Sequence, residues 1–278
     1  MYIENLSEKL AAAGLFITAV VSAGCWAGKN WIKIKHERVI IDWLPLHLNG
    51  LKILHISDLH GNNEEKMNLD VWSAIERMEF DIAAITGDMV VGEYEQVLPH
   101  IPHIKRLARR VPVFYVEGNH EQMFYEEMAE LLESVGVTTL ENEKQVFRVQ
   151  SFGDVPLIGF RDYTTLISNR FAGISELLRS NSGKFHIILS HQPQIFKRMR
   201  NLELGLVLSG HTHGGQVRFP PLPTLYAPGQ GVLPKYGDGW YTEGKNMLYI
   251  SRGIGTTVFP IRMFNRPELA VIELCKNY

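Results

Sequence analysis

The sequence has little of what usually fixes a protein's class. Its two cysteines, Cys25 and Cys275, allow one disulfide at most, so no disulfide framework holds the fold. Acidic and basic residues nearly cancel, 30 against 28, for a net charge of −2. Nothing in that balance suggests a nucleic-acid groove, and no nucleic-acid partner is expected. There is no internal repeat and no low-complexity tract, which excludes a repeat array. What remains is ordinary globular composition, 45% hydrophobic and 21% charged over 278 residues. That length accommodates two small domains or one large α/β domain with a sizeable core. The chain also carries eleven histidines, whose placement matters more than their number.

Residues 10–28 contain no charge and are bracketed by Lys9 and Lys29. The run just reaches the length of one membrane-spanning helix and shows no amphipathic period. The expectation is an uncleaved N-terminal anchor within residues 1–30, single-pass in the cell membrane, followed by a folded domain over residues 31–278. A cleaved signal peptide with its site at Val21-Ser22-Ala23, a lipidated Cys25 and a buried helix of a soluble domain are the alternatives. Lys29, Lys33, Lys35 and Arg38 follow the segment and would hold the domain in the cytoplasm. However, Ile32 and Ile34 alternate with Lys33 and Lys35 as a first strand would, so those charges also serve the fold and the side stays open.

Beyond the leader, short apolar runs alternate with amphipathic stretches. Strands are expected at 51–57, 81–86, 111–116, 185–190 and 205–209, around a Gly153-Asp154 turn, and at 247–251 and 269–274. Helices are expected at 64–78, at 94–110 with interruptions at Pro99 and Pro102, at 121–135 closed by Gly136, near 174–180 and near 194–200. The alternation indicates an α/β fold with sheets at its centre.

Five of these strands end in residues that can bind a metal: Asp58-Leu59-His60, Gly87-Asp88, Gly118-Asn119-His120-Glu121, His191 and Gly210-His211-Thr212-His213. Ligands collect at the carboxyl ends of strands in α/β sheets. Each residue alone has an ordinary use as a helix cap or turn former, but the succession of five does not. Two imidazoles in a His-x-His on extended chain project to one side. Imidazole, carboxylate and amide oxygen without a thiolate suit Mn²⁺, Fe²⁺ or Zn²⁺, and the donors exceed what one tetrahedral ion needs. The remaining histidines, His36, His47, His55, His100, His103 and His186, show no such spacing.

In this order, D-x-H, G-D, G-N-H-[DE], H and G-H-x-H resemble the motif series of the calcineurin-like metallophosphoesterase family, over residues 58–213. Downstream, Gly214-Gly215-Gln216-Val217-Arg218, Ser251-Arg252-Gly253-Ile254-Gly255 and the stretch from Pro260-Ile261-Arg262 to Pro267-Glu268 resemble a bacterial membrane-associated, phosphodiesterase-type subgroup, extending the likeness to about Leu274. The resemblance implies a four-layer α/β/β/α sandwich of the metallo-dependent phosphatase type. It implies two divalent ions per chain, one on Asp58, His60 and His213, the other on Asn119, His191 and His211, with Asp88 bridging. Two such ions polarise a phosphoryl group and lower the pKa of a water between them. It also implies that His120 faces the phosphate as stabiliser or proton donor, with a purely supporting hydrogen-bond role as the alternative. Many members carry an aspartate three residues after the bridging one to orient that histidine. Here Val91 stands in that place, so either His120 has another partner, with Glu93 and Glu121 as candidates, or its acid role is weakened. Arg262 and Arg266 are candidate phosphate or headgroup contacts, as are Arg218 and Arg252, unless they form surface ion pairs.

The function implied is a binuclear-metal-dependent phosphoester hydrolase acting on phosphodiester or pyrophosphate substrates, with lipids or nucleotide-sugar lipids as candidates and the membrane as a partner. A phosphomonoesterase using the same site is the nearest alternative. A catalytically silent binding scaffold is a different class, against which the full ligand set argues. A structural zinc module is disfavoured because such sites are closed and usually rich in cysteine.

Overall fold

The structure is a computed structural model that describes residues 2–61, 65–161, 170–219, 221–257 and 261–277. The chain begins with helix α1 (Tyr2–Asn30), which contains the charge-free run, and β1 (Lys33–Ile41) follows directly. Then come β2 (Lys52–Ile56), α2 (Glu65–Glu76), β3 (Ile82–Ile85), α3 (Ile101–Arg110), β4 (Val113–Tyr115), α4 (Tyr125–Ser134) and β5 (Val137–Thr139). The second half holds β6 (Glu143–Val149), β7 (Gly153–Phe160), α5 (Arg170–Ser180), β8 (His186–Ser190) and β9 (Gly205–Ser209). A small hairpin of β10 (Tyr226–Ala227) and β11 (Gly231–Val232) precedes β12 (Gly239–Glu243), β13 (Asn246–Ile250) and β14 (Glu268–Lys276).

The larger strands form two six-stranded sheets, in the orders β1-β14-β2-β3-β4-β5 and β12-β13-β9-β8-β7-β6. The period-two alternation of side chains sorts each strand between two cores. Ile53, Ile82, Ala84 and Phe114 meet Leu157, Ile187, Leu206 and Leu208 in the core between the sheets. Leu54, Ile56, Ala83, Ile85 and Val113 point the other way, onto Val71, Ile75, Ile104, Leu107, Met128 and Leu132 of α2, α3 and α4. On the second sheet Ile158, Ile188 and Val207 turn outward to Ile174, Leu178 and Phe196. The result is the expected α/β/β/α layering, and the five metal-motif strands are buried on both faces, as their nearly continuous apolar runs require.

Local differences have local causes. The proline-interrupted stretch divides into a 3₁₀ segment, Tyr94–His100, with Pro99 inside it, and α3, with Pro102 in its first turn, where a missing N–H leaves no hydrogen bond unmade. The helix expected from 121 opens with a 3₁₀ turn, Gln122–Phe124, and becomes α-helical only at Tyr125. The segment near 194–200 is also 3₁₀, Pro193–Met199, rather than an α-helix. Residue 64, the expected first residue of α2, lies outside the described residues.

Candidate metal centre

Strands β2, β3 and β4 run parallel as neighbours in one sheet, and β8 and β9 run parallel as neighbours in the other. Their five carboxyl ends therefore meet at one edge of the sandwich. Bonds between the loops fasten the two sheets there. His191 Nδ1 lies 2.7 Å from the Thr86 carbonyl, and the His211 N–H donates to Asp58 Oδ1 at 3.0 Å. At Gly87 and Gly118 the backbones of two such loops touch so closely that a Cβ on either would strike the other.

Donor atoms converge in two overlapping groups: Asp58, His60, Asp88 and His213, and Asp88, His191 and His211. His60 Nε2 is 2.9 Å from His213 Nε2 and 3.7 Å from Asp88 Oδ2. His213 Nε2 is 3.3 Å from Asp58 Oδ1, and His191 Nε2 is 3.1 Å from Asp88 Oδ2. Donors bound about 2.1 Å from a common ion stand roughly 3.0–3.5 Å from one another, which most of these spacings approach. Asn119 sits between these loops, and its buried Oδ1 has no hydrogen-bond partner. Leaving such an oxygen unsatisfied costs about 1–3 kcal/mol, and a cation would satisfy it. The donor set thus fits a metal site.

The ring orientations are set from behind. The carbonyls of Val90 and Thr86 face Nδ1 of His60 and His191 at 3.1 and 2.7 Å, which assigns the proton to Nδ1 and leaves each Nε2 lone pair pointing inward. His211 differs in presenting Nδ1, 3.2 Å from His191 Nε2. Burial pushes the His60 imidazole down to about 4, His211 down to about 3 and His213 well below its ordinary value, so all three are neutral donors near pH 7. Burial alone would raise the Asp88 carboxyl, but His191, then His60 and His120, outweigh it and hold Asp88 below the usual carboxylate range.

Asp58, His60, Asp88, His211 and His213 all have positive φ, between 49° and 69°. Non-glycine residues adopt this left-handed conformation at a cost of about 1–2 kcal/mol each, and its concentration here marks a site whose geometry is imposed by its surroundings. Glu121 supplies part of that constraint. Its buried carboxylate accepts from the N–H groups of Gly118 (2.8 Å), Asp88 (3.0 Å), Met89 (2.5 Å) and Val90 (3.3 Å), joining the loops after β3 and β4.

His120 is half-buried beside the centre, with Nε2 3.9 Å from Asp88 Oδ2. Its Nδ1 lies 2.8 Å from the carbonyl oxygen of Val91. The expected carboxylate partner is corrected: Glu121 is occupied by four N–H groups, Glu93 is exposed, and the main chain at position 91 supplies the acceptor. Arg262 is also not where it was expected. It is 2% exposed, and Nε and Nη2 donate to the Gly255 carbonyl, with Nη2 also reaching the Arg252 carbonyl and lying 3.2 Å from His213 Nδ1. Arg266 donates to the carbonyls of Trp31 and Ile32. Arg218 and Arg252 both pair with Asp238. Arg262 is thus enclosed rather than at the surface, while Arg266 is half-buried and engaged with main-chain carbonyls at the end of α1. His55 packs as expected, buried in β2 with Nε2 2.8 Å from Thr86 Oγ1. Sequence patterns gave no signal for the three backbone carbonyls or for the enclosure of Arg262, whereas Glu121 was visible as the acid of the G-N-H-[DE] motif.

A profile of calcineurin-like phosphoesterases matches residues 51–215, which span all five strand ends. The chain belongs to the calcineurin-like phosphoesterase family. It is accordingly a hydrolase acting on phosphoester bonds, with a cluster of Asp and His side chains able to hold metal ions. Among relatives, it is 31% identical to the uncharacterized metallophosphoesterase YkoQ of Bacillus subtilis (strain 168), over 89% of this chain and 93% of the relative. It is 28% identical to the phosphodiesterase YaeI of Escherichia coli (strain K12), over 80% of this chain and 82% of the relative. A Danio rerio transmembrane protein with metallophosphoesterase domain is 28% identical over 96% of this chain and 63% of its own length. Among the described residues one helix, over Lys9–Gly28 with mean hydropathy 1.9, is long and apolar enough to cross a bilayer.

Proposed function

We propose that this hydrolase uses two divalent ions to cleave phosphodiester or pyrophosphate bonds of lipid-linked substrates at a membrane. The observation that carries the two-ion reading is that Asp88 belongs to both donor groups. In this reading Asp58, His60 and His213 hold one ion, Asn119, His191 and His211 hold the other, and Asp88 offers an oxygen to each. Mn²⁺, Fe²⁺ and Zn²⁺ suit these donors. The ions would activate water and neutralise charge on the phosphoryl group. His120, held by the Val91 carbonyl, directs Nε2 to the same space and protonates the leaving oxygen or stabilises the phosphoryl group.

Two observations support a membrane and a lipid-linked substrate. Residues 9–23 of α1 are solvent-exposed throughout, which suits a single-pass anchor in the cell membrane ahead of a catalytic domain over residues 31–278. In addition, Phe219, Leu222, Tyr226, Val232 and Leu233 are exposed around the β10–β11 hairpin. Gly229 in that hairpin is close enough to the centre that a Cβ there would lie 3.7 Å from His211 Nε2. An apolar rim of this kind accommodates an acyl or prenyl chain beside a hydrolytic site. The name of the YaeI relative, a phosphodiesterase, agrees with diester rather than monoester chemistry.

The test compares the purified full chain, loaded with Mn²⁺, on a bis-aryl phosphodiester, the matching aryl monoester and a long-chain phosphodiester in mixed micelles. The micellar diester is expected to have the highest kcat/KM. A strong preference for the monoester assigns the site to phosphomonoesters instead.

A further inference from the structure

The topology carries α1 to the same edge as the metal centre. Strand β2 ends just before Asp58, and β14 runs antiparallel to it, with Ala270 opposite His55. Strand β1 runs parallel to β14 and starts with Lys33 opposite Glu268. The start of β1, directly after α1, therefore lies at the catalytic edge. The end of α1 is fastened there. A Cβ at Gly24 would strike the Phe264 ring, and a Cβ at Gly28 would strike the carbonyl oxygen of Arg262. The Phe264 N–H donates to the Gly24 carbonyl at 3.4 Å, and the Lys33 N–H donates to the Pro267 carbonyl at 2.7 Å. Arg266 donates to the carbonyls of Trp31 and Ile32 at 3.1 and 3.0 Å.

This fastening fixes a depth. The apolar span Lys9–Gly28 has 20 residues. At the α-helical rise that is about 30 Å, the thickness of the hydrocarbon core of a bilayer. Lys9 and Lys29 mark its two ends. Gly24 stands about 6 Å inside the second end, and Phe264 packs on it. Part of the folded domain is then level with the boundary of the bilayer. The exposed side chains near Phe264 suit that place. Trp26 and Trp31, 55% and 54% exposed, meet edge to face at 5.2 Å, and tryptophan is the usual residue at a membrane–water interface. Ile261 is exposed next to Arg262. Met263 pairs with Val217, and the Arg218 N–H donates to the Met263 carbonyl at 3.0 Å, which brings exposed Phe219 and Leu222 towards the same helix end. From Phe219 to Leu233 the sequence has no charged residue, and Pro220, Pro221 and Pro223 offer no N–H for lipid to leave unpaired.

We propose that the catalytic edge itself rests in the bilayer interface, on Trp26, Trp31, Phe219, Leu222 and Ile261, and that the substrate is a phosphodiester or pyrophosphate lipid hydrolysed while it stays in the headgroup layer of that leaflet. This rests on the anchored, lipid-directed reading above. The metal centre is one side chain away from the helix end: Arg262, whose carbonyl faces Gly28, brings Nη2 to 3.2 Å from His213 Nδ1. The headgroup layer is about 5–8 Å deep on each side of the hydrocarbon core, so lipid phosphates at this level stand beside the donor side chains while their chains remain in the bilayer. Water adds its oxygen to phosphorus, the bond from phosphorus to the departing oxygen breaks, and that oxygen takes up the proton that water gives up.

Spin labels on the full chain decide it. Cys25→Ser and Cys275→Ser remove the native thiols, and single cysteines enter as Phe16→Cys, Leu222→Cys, Ile261→Cys or Ser151→Cys. All four positions are exposed, so a label displaces no core residue. Ser151 lies in the turn between β6 and β7, and since β7 runs parallel to β8 this turn is at the end of the sandwich away from the metal centre. Each chain is reconstituted in vesicles of phosphatidylcholine and phosphatidylglycerol, and label collisions with oxygen are compared with those with a polar nickel chelate. The oxygen-to-nickel ratio at Leu222→Cys and Ile261→Cys should be roughly 10-fold above that at Ser151→Cys, because polar solutes are kept out of hydrocarbon, and Phe16→Cys should be higher still. Water-like access at Leu222→Cys or Ile261→Cys, with Phe16→Cys buried in lipid, overturns the docking and leaves the anchor standing. Water-like access at Phe16→Cys sinks the anchor reading and the docking with it. Wild-type protein in the same vesicles, loaded with Mn²⁺, should hydrolyse a long-chain aryl phosphodiester held in its own vesicles and spare the same diester held in separate ones. Equal rates on both overturn the substrate assignment. Hydrolysis of neither fails the diester reading, while the labels still decide the docking.

Discussion

Asp58, His60 and His213 are shut away from solvent, each 3% exposed or less, whereas His211 is 7% exposed and Asn119 and His120 are only half-buried. The two halves of the centre thus differ in their surroundings, with His191 of the outer half, 0% exposed, the exception. The inner half is closed over by residues 251–257 and 261–265, and the backbone of Arg262 lies against Gly28 of α1. The outer half opens towards the β10–β11 hairpin and carries His120. The difference suggests a division of labour: the inner half is built for permanence and the outer half for exchange with substrate. Asp88 belongs to both donor groups.

The sharpest way to break this comparison is to remove what the halves share. Asp88→Asn should lower phosphodiester turnover by on the order of 10³-fold or more and bring ion content below one per chain by elemental analysis. If hydrolysis survives, the halves are not one centre. The next change separates chemistry from ion holding on the outer side. His120→Ala should reduce kcat by roughly 10²–10⁴-fold at unchanged ion content, and equal loss of both would make His120 a structural residue.

A smaller effect tests whether the halves are braced independently. Glu121 serves the loops carrying Asp88 and Asn119, and among the described residues its hydrogen bonds run to those loops rather than to the loop of His213. Glu121→Ala strands N–H groups at about 1–3 kcal/mol each when buried. It should lower the melting temperature and weaken the outer ion more than the inner one, read by titration against a chelator.

The mildest prediction concerns pH. Burial pushes the His55 imidazole, beneath the inner half, down to about 3. Its folded pKa is below its unfolded one, so the unfolded chain binds the extra proton and stability falls as pH drops from about 6.5 towards 3. The slope is up to ~1.4 kcal/mol per pH unit for each such histidine. His55→Gln should flatten the decline in melting temperature of metal-free protein between pH 6.5 and 4, and an unchanged slope would exclude His55 as a cause.

The layered fold was legible because each apolar run, read with period two, has a partner surface on both sides: Leu54 and Ile53 are adjacent in sequence and belong to different cores. The donor side chains were legible because strand ends recur with the right residue types. What stood behind them was not. The Val90, Thr86 and Val91 oxygens belong to the backbone, and any residue supplies one. Arg262 read as a phosphate contact because its side chain is the usual one for that task, and only the packing of Gly255, Arg252 and His213 around it shows that it is enclosed. Gly24 and Gly28 carry no signal within the charge-free run, and only the ring of Phe264 and the carbonyl of Arg262 against them show why a side chain would not fit there. Helix type was misjudged at 193–199 because seven residues of amphipathic pattern do not distinguish an α-helix from a 3₁₀ turn.

The oxygen that holds His120 comes from the main chain at position 91, and this has a bearing on descent. A side-chain partner ties a function to one amino acid, and every substitution there is seen by selection. A carbonyl partner frees the position: most residues could replace Val91 without altering what His120 meets. Proline is the exception, since it would forfeit the N–H that Val91 donates to Gln96 at 2.7 Å. Position 91 is therefore expected to drift among relatives while His120 persists. A search that demands an acid at that place will pass over chains whose histidine is held just as firmly.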